Sequence, residues 1–199
     1  TDDKAHYYPD ADSFATKMIA DRTTHKLLGI QVLGAGAADK MTDIAATAIA
    51  MDARLEDLEN LDLAYAPPFS TAIHPLVQAA YILENKISGE MVSMTPAEYA
   101  EGKAKGYKVV DVCPNPQIAG AFYVNLSSVN GPIDGLDKDE KLLLVCLKGK
   151  RSYFLQNRLK AYGYTNTVVL EGAQYFNDVK VEGVKFKVSP EDITRVKAL

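Results

Sequence analysis

A short run of apolar residues, Leu142 to Val145, constrains the fold of this chain more than any other segment. It reads Leu-Leu-Leu-Val, without alternation of polar and apolar residues, so a strand formed here must be buried on both faces. Further strand-like runs at 107–113 and 167–170 surround a helical pattern at 152–162. Short strands that alternate with helices predict an α/β fold with a parallel sheet covered by helices on both faces.

The first half of the chain has a different pattern. Two strand-like runs, 13–20 and 26–33, are separated by polar residues and predict a hairpin. Apolar residues at helical spacing predict one helix over about 37–51, a short one near Leu55 to Leu61, and a third from Pro75 to Gly89.

A change of pattern near residue 90 predicts two domains, residues 1–90 and 91–199. The stretch Gly89 to Met94 has the composition of a short linker. Directly behind it, Thr95-Pro96-Ala97-Glu98 forms a capping box with proline in the first turn, which marks the start of a helix. We expect a mixed α+β first domain and a parallel-sheet second domain.

Composition excludes several classes of protein. The 199 residues are 47% hydrophobic and carry a formal net charge of -4, which is typical of an ordinary globular chain and predicts no nucleic-acid partner. No apolar run approaches the roughly 20 residues that span a bilayer, so we expect no membrane association and a cytoplasmic protein. Because the first residue is not Met, we expect a piece of a longer protein.

The cysteines and histidines are few. Two cysteines, Cys113 and Cys146, exclude a disulfide scaffold and leave reduced thiols for packing or for chemistry. The three histidines, His6, His25 and His74, show no spacing typical of metal ligands, so we expect no metal site.

Cys146 is the strongest candidate for a nucleophile. It follows the buried strand, at the edge of a parallel sheet where ligands bind, and the backbone amides of the next loop and helix form a site for anions. Such a position, with the positive charges of Lys148, Lys150 and Arg151 beside it, favours the thiolate over the thiol. The alternative is a buried cysteine that only ends a core strand. The loop and helix start that follow it comprise Leu147, Lys148, Gly149, Lys150, Arg151 and Ser152.

The motif Cys-x-x-Gly-x-Arg-Ser at 146–152 resembles the active loop of single-domain rhodaneses. Val109 to Val112 resembles the first strand of that family, and Tyr164 to Gly172 resembles its last strand and the turn that follows, so the resemblance covers about 94–181. It implies that Cys146 takes the outer sulfur of a donor such as thiosulfate or a persulfide, holds it as a persulfide, and passes it to a thiol, with Arg151 in the same loop. The related dual-specificity phosphatases have five residues between cysteine and arginine, whereas Cys146 and Arg151 have four between them.

Cys113 departs from the rhodanese pattern, because it stands where the first strand usually ends in arginine. The segment Pro114 to Ala121 is also short for the family, and Gly172-Ala173 replaces a pair of glycines. The rhodanese resemblance implies that the strands ending at Cys113 and Cys146 are neighbours in the parallel sheet. Since adjacent strands lie about 4.8 Å apart, Cys113 could be a second thiol that links to Cys146. Alternatively, it is a small buried residue.

The first half resembles the C-terminal dimerisation domain of pyridine nucleotide-disulfide oxidoreductases. The similarity runs from about residue 6 to 89, is carried above all by Leu61 to Ser70, and is closest to the coenzyme A-disulfide reductase and NADH oxidase branch. It implies a homodimer in which Tyr65, and Tyr7 or Tyr8, lie beside the redox cysteine and flavin of the other subunit. The alternative for Tyr65 is a tyrosine buried in a proline-stiffened turn.

Together the two resemblances imply the dimerisation and sulfur-transfer portion of a coenzyme A-disulfide or persulfide reductase. The intact enzyme would use FAD and NAD(P)H, with coenzyme A or its persulfide as shuttle, whereas these residues contain neither nucleotide-binding domain and hold no cofactor of their own. The competing hypothesis is a catalytically silent rhodanese fold that serves as an interaction and dimerisation module.

Overall fold

Two β-sheets organise the chain in the computed structural model, which describes residues 1–181. The first is the predicted hairpin of β1 (Ala15–Ala20) and β2 (Leu27–Leu33), in which Ala15 pairs with Leu33. Three helices follow: α1 (Ala38–Ala50), α2 (Leu55–Glu59) and α3 (Pro75–Ile87).

The apolar stripes of these helices pack together against the hairpin. Met41 of α1, Leu55 and Leu58 of α2, and Leu76 of α3 are almost completely buried in one core with Leu27 of β2. Burial of each such side chain contributes about 1.5–3 kcal/mol relative to exposure. This core explains why helical spacing was a reliable signal in the first half.

The second sheet has five strands in the order β3-β7-β6-β4-β5, and all its pairs are parallel. Its central strand, β6, places Leu142 and Leu144 in one core and Leu143 and Val145 in another. Both faces are therefore buried, as the uninterrupted apolar run predicts. The strands are β3 (Ser93–Met94), β4 (Lys108–Asp111), β5 (Phe122–Tyr123), β6 (Leu142–Val145) and β7 (Thr167–Leu170).

Three helices accompany this sheet: α4 (Pro96–Ala100), α5 (Lys150–Ala161) and α6 (Ala173–Phe176). The predicted capping box begins α4, since Thr95 Oγ1 accepts from Glu98 N at 3.2 Å and Glu98 Oε2 accepts from Thr95 N at 3.0 Å. A short 3₁₀ turn lies at Leu126–Ser128. The α/β fold class is thus confirmed.

The edge strand β3 was not predicted, because it lies within the stretch interpreted as a linker. It is only two residues long and pairs with Val169 and Leu170 of β7. Gln156 of α5 supports it, since its side-chain amide bonds both the N–H and the carbonyl of Val92, at 3.2 and 2.8 Å. These partners are distant in sequence, and local patterning therefore gave no signal for them.

Several polar contacts join the two halves. Lys86 of α3 pairs with Glu171 at 2.5 Å, and the Tyr175 hydroxyl donates to the carbonyl of Ser13 at 3.2 Å. Within residues 1–181, no helix is both long and apolar enough to cross a membrane.

Candidate active site around Cys146

The two cysteines lie at the same edge of the parallel sheet. Strands β4 and β6 are hydrogen-bonded neighbours, and Val112 N, directly after β4, donates to the carbonyl of Val145, the last residue of β6, at 2.8 Å. Cys113 and Cys146 follow directly. Both are buried within one core cluster, with Cys146 2% exposed. The prediction that these strands are neighbours is confirmed.

The Cys146 sulfur is held by the loop that follows it. The N–H of Gly149 donates to Cys146 Sγ at 3.1 Å. Gly149 has a φ of 92°, a left-handed conformation that strains residues with a side chain, and it precedes the first turn of α5. The sulfur thus receives an amide hydrogen bond close to the positive end of a twelve-residue helix. Backbone amides and helix N-termini of this kind bind anions.

The three cations after Cys146 contact other groups. Lys148 forms an ion pair with Asp2 at 2.5 Å, and Lys150 Nζ lies 5.8 Å from the centre of the Phe154 ring. Arg151 Nε donates to the carbonyl of Val112 at 2.6 Å and thereby ties the loop to β4. The basic residues therefore shape the loop and its surroundings, and the hydrogen bond to the sulfur comes from a backbone amide.

Asp2 was not recognised in the sequence as part of this region. Burial alone would raise the pKa of its carboxyl, but the Lys148 ammonium and the Ser13 hydroxyl lower it. Asp2 thus neutralises a cation of the Cys146 loop from the far end of the chain, 146 residues away. No sequence spacing could have indicated this pairing.

The remaining loop residues differ in exposure. Leu147 is half-exposed, and its carbonyl accepts from Tyr175 N at 3.0 Å. Ser152 is completely buried, and its hydroxyl has no hydrogen-bond partner among residues 1–181. Leu147 precedes and Ser152 follows Gly149, the residue at which the chain turns into α5.

Cys113 is surrounded by groups that keep its thiol protonated. Burial, a hydrogen bond to Asp111 and the negative charge of that carboxylate raise the pKa of Cys113 to about 12. Its sulfur also accepts from Gln174 Nε2 at 3.2 Å. The same Gln174 donates its backbone N–H to the carbonyl of Cys146 at 3.1 Å. Gln174 thus connects the two cysteines.

Gln174 was missed in the sequence, although one signal was present. It follows Gly172-Ala173 at the end of the last predicted strand, and the ends of parallel strands meet at one edge. It also lines an open groove of about 550 Å³ beside this edge. The groove is formed by Gln117, Ile118, Ala119 and residues 174–179.

Asp111 shapes the short segment that departs from the rhodanese pattern. Its carboxylate accepts from the backbone N–H groups of Cys113, Gln117 and Ile118, at 2.9, 2.6 and 2.9 Å. Burial would raise the pKa of Asp111, but these three amides lower it. The backbone of this segment therefore wraps around the Asp111 carboxylate.

The predicted tyrosines lie on the surface of the first half. Tyr65 is 50% exposed in the loop between α2 and α3, so the alternative that it is buried in a turn is wrong. Tyr7 and Tyr8 are also exposed, with ring centres 6.4 Å apart. The Ala5 N–H donates to the carbonyl of Pro67 at 3.2 Å, which joins the N-terminal segment to the Tyr65 loop.

His25 lies beside two carboxylates, although its spacing in the sequence gave no sign of ligand partners. Its Nδ1 lies 2.7 Å from Glu56 Oε1 and 2.9 Å from Glu84 Oε1. His6 packs against Tyr7, and His74 caps α3 by accepting from Leu76 N. The sequence gave no sign of the His25 cluster because its three members are far apart along the chain.

Comparison with known proteins identifies the first half. Residues 1–77 match the family model of the pyridine nucleotide-disulphide oxidoreductase dimerisation domain. The match covers 77 of the 199 residues of the chain. It ends within α3, short of residue 89, the end of the resemblance that the sequence predicts.

Curated relatives of the chain are named as sulfur and disulfide reductases. The NAD(P)H sulfur oxidoreductase (CoA-dependent) of Pyrococcus furiosus is 38% identical over 81 residues, which cover 41% of this chain and 18% of that protein. The coenzyme A disulfide reductase of Staphylococcus epidermidis is 32% identical over 71 residues, covering 36% of this chain and 16% of the relative. The chain thus matches less than a fifth of the length of these relatives.

Two solved structures match the dimerisation domain together with the parallel-sheet half. The NAD-dependent persulfide reductase of A. fulgidus superposes with a TM-score of 0.80 and 30% identity, over 88% of this chain and 32% of that one. Reduced CoADR-RHD of Bacillus anthracis gives 0.76 and 28%, over 87% and 32%. The predicted resemblance to the C-terminal part of coenzyme A-disulfide and persulfide reductases is confirmed.

Proposed function

We propose that this chain is the dimerisation and sulfur-transfer portion of a coenzyme A-disulfide or persulfide reductase, with Cys146 as the nucleophile that carries the sulfur. The observation that carries this proposal is the hydrogen bond of 3.1 Å from Gly149 N–H to Cys146 Sγ, at the N-terminus of α5. It supports a sulfur that is negatively charged before the reaction and again once it has become a persulfide.

The reaction proceeds in two steps. The Cys146 thiolate attacks the outer sulfur of thiosulfate, the sulfur–sulfur bond of the donor breaks, and sulfite leaves with the bonding pair. The product is a persulfide anion, whose charge the Gly149 N–H and the helix terminus stabilise. A thiolate acceptor then attacks the outer sulfur, which returns Cys146 to its thiolate and forms a persulfide on the acceptor.

In the intact enzyme FAD and NAD(P)H would supply the electrons for the reductive half-reaction, with coenzyme A or its persulfide as the small-molecule shuttle. The names of the relatives support NAD(P)H and coenzyme A in these roles. The exposed phenol of Tyr65, with Tyr7 or Tyr8, fits a position facing a partner subunit, where its hydroxyl can donate to a developing thiolate.

The domain division that accompanies this proposal lies near residue 90. Residues 1–90 form the dimer-forming platform, and residues 91–199 form the rhodanese-like sulfur carrier. Residues 182–199 lie outside the described structure, so the account of the second domain rests on residues 91–181.

The second candidate function is a catalytically silent interaction and dimerisation module. It is favoured by the deep burial of Cys146 and by the engagement of Lys148 with Asp2. In this alternative the loop keeps the rhodanese shape but transfers no sulfur.

A sulfurtransferase assay distinguishes the two. Thiosulfate serves as donor and cyanide as acceptor, and thiocyanate formation is followed with the wild-type chain, Cys146→Ser and the matched control Cys113→Ser. The proposal predicts turnover by the wild type and by Cys113→Ser, and none by Cys146→Ser. No thiocyanate from a folded wild type would favour the silent module. Equal rates in the wild type and Cys146→Ser would show that Cys146 is not the nucleophile.

A further inference from the structure

Three side chains from three separate elements converge on the surface of the first half. His25 lies in the turn between β1 and β2, Glu56 in the first turn of α2, and Glu84 near the end of α3. The His25 nitrogen and one oxygen of each carboxylate all lie within 4.8 Å of one another. The fold therefore brings one imidazole and two carboxylates to a single point, although the chain separates their positions by up to 59 residues.

Hydrogen bonds within this cluster leave one buried carboxylate oxygen without a donor. An imidazole has one proton at most on Nδ1, and Glu56 Oε1 accepts it at 2.7 Å. The Oε1 atom of Glu84 is fully buried and has no hydrogen-bond partner among residues 1–181, even though it lies 2.9 Å from the same nitrogen. A buried carboxylate oxygen without a donor is costly. The unpaired Glu84 oxygen therefore favours the binding of a positively charged group between these side chains.

The negative charge of the neighbouring residues also favours a cation at this cluster. Glu59, one turn after Glu56, has its pKa raised first by burial and then by the charges of Glu84 and Glu56. Glu56, Glu59 and Glu84 are thus close enough to repel one another. A divalent cation held by Glu56 and Glu84 would relieve that repulsion more completely than a single proton.

We propose that His25, Glu56 and Glu84 form a site for a divalent transition-metal ion of the zinc class. One imidazole and two carboxylates, with a water to complete a tetrahedron, is a ligand set that such ions accept and that an oxygen-seeking ion such as Mg²⁺ does not select. Bonds of about 2.0–2.2 Å space tetrahedral ligand atoms roughly 3.3–3.6 Å apart, so side-chain shifts of under about 1 Å suffice. Glu56 is more than half exposed at its side chain and is free to make such a shift.

The ion would act as a clamp within the first half. It joins the hairpin turn to α2 and α3, whose packing buries Leu55, Leu58 and Leu76. Metal binding would therefore stabilise the folded chain, by an amount that rises with the logarithm of the free metal concentration once this exceeds the Kd.

The test uses the full chain without a histidine tag, and Zn²⁺ itself as the probe. Zn²⁺ binding is measured by competition with a chromophoric chelator, with Mg²⁺ as the comparison ion. Replacement of Glu84 by Gln keeps the size of the side chain, and His25→Ala removes the nitrogen ligand. The controls are His6→Ala and Glu101→Gln, a histidine and an exposed glutamate outside the cluster. Circular dichroism shows which variants keep the fold.

We expect one Zn²⁺ per chain, bound in preference to Mg²⁺, with an affinity reduced more than about tenfold in Glu84→Gln and His25→Ala and unchanged in both controls. Co²⁺ bound at the site should show no thiolate-to-metal charge transfer. Zn²⁺ binding that survives in folded Glu84→Gln, binding lost only in Cys146→Ser, or no binding by the wild type would overturn the proposal. If His25→Ala does not fold, Glu84→Gln alone decides the outcome.

Discussion

Gln174 donates its side-chain amide to Cys113 Sγ at 3.2 Å, while its backbone N–H donates to the carbonyl of Cys146 at 3.1 Å. Gln174, in α6, thus fixes both cysteines at the sheet edge. Cys113 also contacts Asp111, whose negative charge disfavours a second thiolate. These contacts support Cys113 as a packing and hydrogen-bonding residue rather than a second reactive thiol.

The first prediction concerns the reactivity of Cys113. With a pKa of about 12, only about one Cys113 in ten thousand is a thiolate at pH 8, so it forms no disulfide with Cys146 under mild oxidation. Peptide mapping by mass spectrometry checks this. We expect Cys113→Ala to keep sulfur transfer within about twofold and to lose roughly 1–2 kcal/mol of unfolding free energy. A Cys113–Cys146 peptide, together with slowed turnover in Cys113→Ala, would establish the second thiol instead.

The ion pair between Asp2 and Lys148 gives a second prediction. Asp2→Asn frees a positive charge beside the Cys146 loop, so the KM for the dianion thiosulfate should fall, by at most about fivefold because the pair is partly exposed. Asp10→Asn, which changes an exposed carboxylate nearby in sequence, is the matched control. The difference from wild type should vanish at high salt. An unchanged or increased KM in Asp2→Asn would show that Lys148 does not attract the donor.

A third prediction concerns self-association. The loop that carries Tyr65 also exposes Phe69, at 72%, and Ile73, which makes an apolar surface in a domain of the dimerisation family. We expect the chain to dimerise without flavin, and Phe69→Asp to weaken the dimer by at least about tenfold. Light scattering over a range of concentrations measures this.

Phe176→Asp serves as control for that experiment, because Phe176 is similarly exposed but lies in α6 of the other half. Equal weakening by both substitutions would place the interface elsewhere. A wild type that stays monomeric at high concentration would contradict dimerisation by these residues.

Local sequence signals predicted the elements that depend on neighbouring residues. The apolar run at 142–145 forms a strand because both its faces are buried. The left-handed Gly149 precedes α5, and the reciprocal bonds between Thr95 and Glu98 begin α4. The position of Cys146 followed from these elements together with the motif.

Contacts between distant residues could not be predicted in this way. Asp2 reaches Lys148, and Glu84 reaches His25, only because the folded chain brings separate elements together. The sequence suggested that all three loop cations would act on the sulfur. In the structure, Arg151 instead donates to the carbonyl of Val112, and the hydrogen bond to the sulfur comes from the Gly149 amide.

The most direct test of the central claim is the intact mass of the chain after incubation with thiosulfate and removal of excess donor. If Cys146 carries sulfur, the wild type and Cys113→Ala gain the mass of one sulfur atom, dithiothreitol removes it, and Cys146→Ser gains none. A mass gain retained in Cys146→Ser, or lost in Cys113→Ala alone, would contradict the assignment of the persulfide to Cys146.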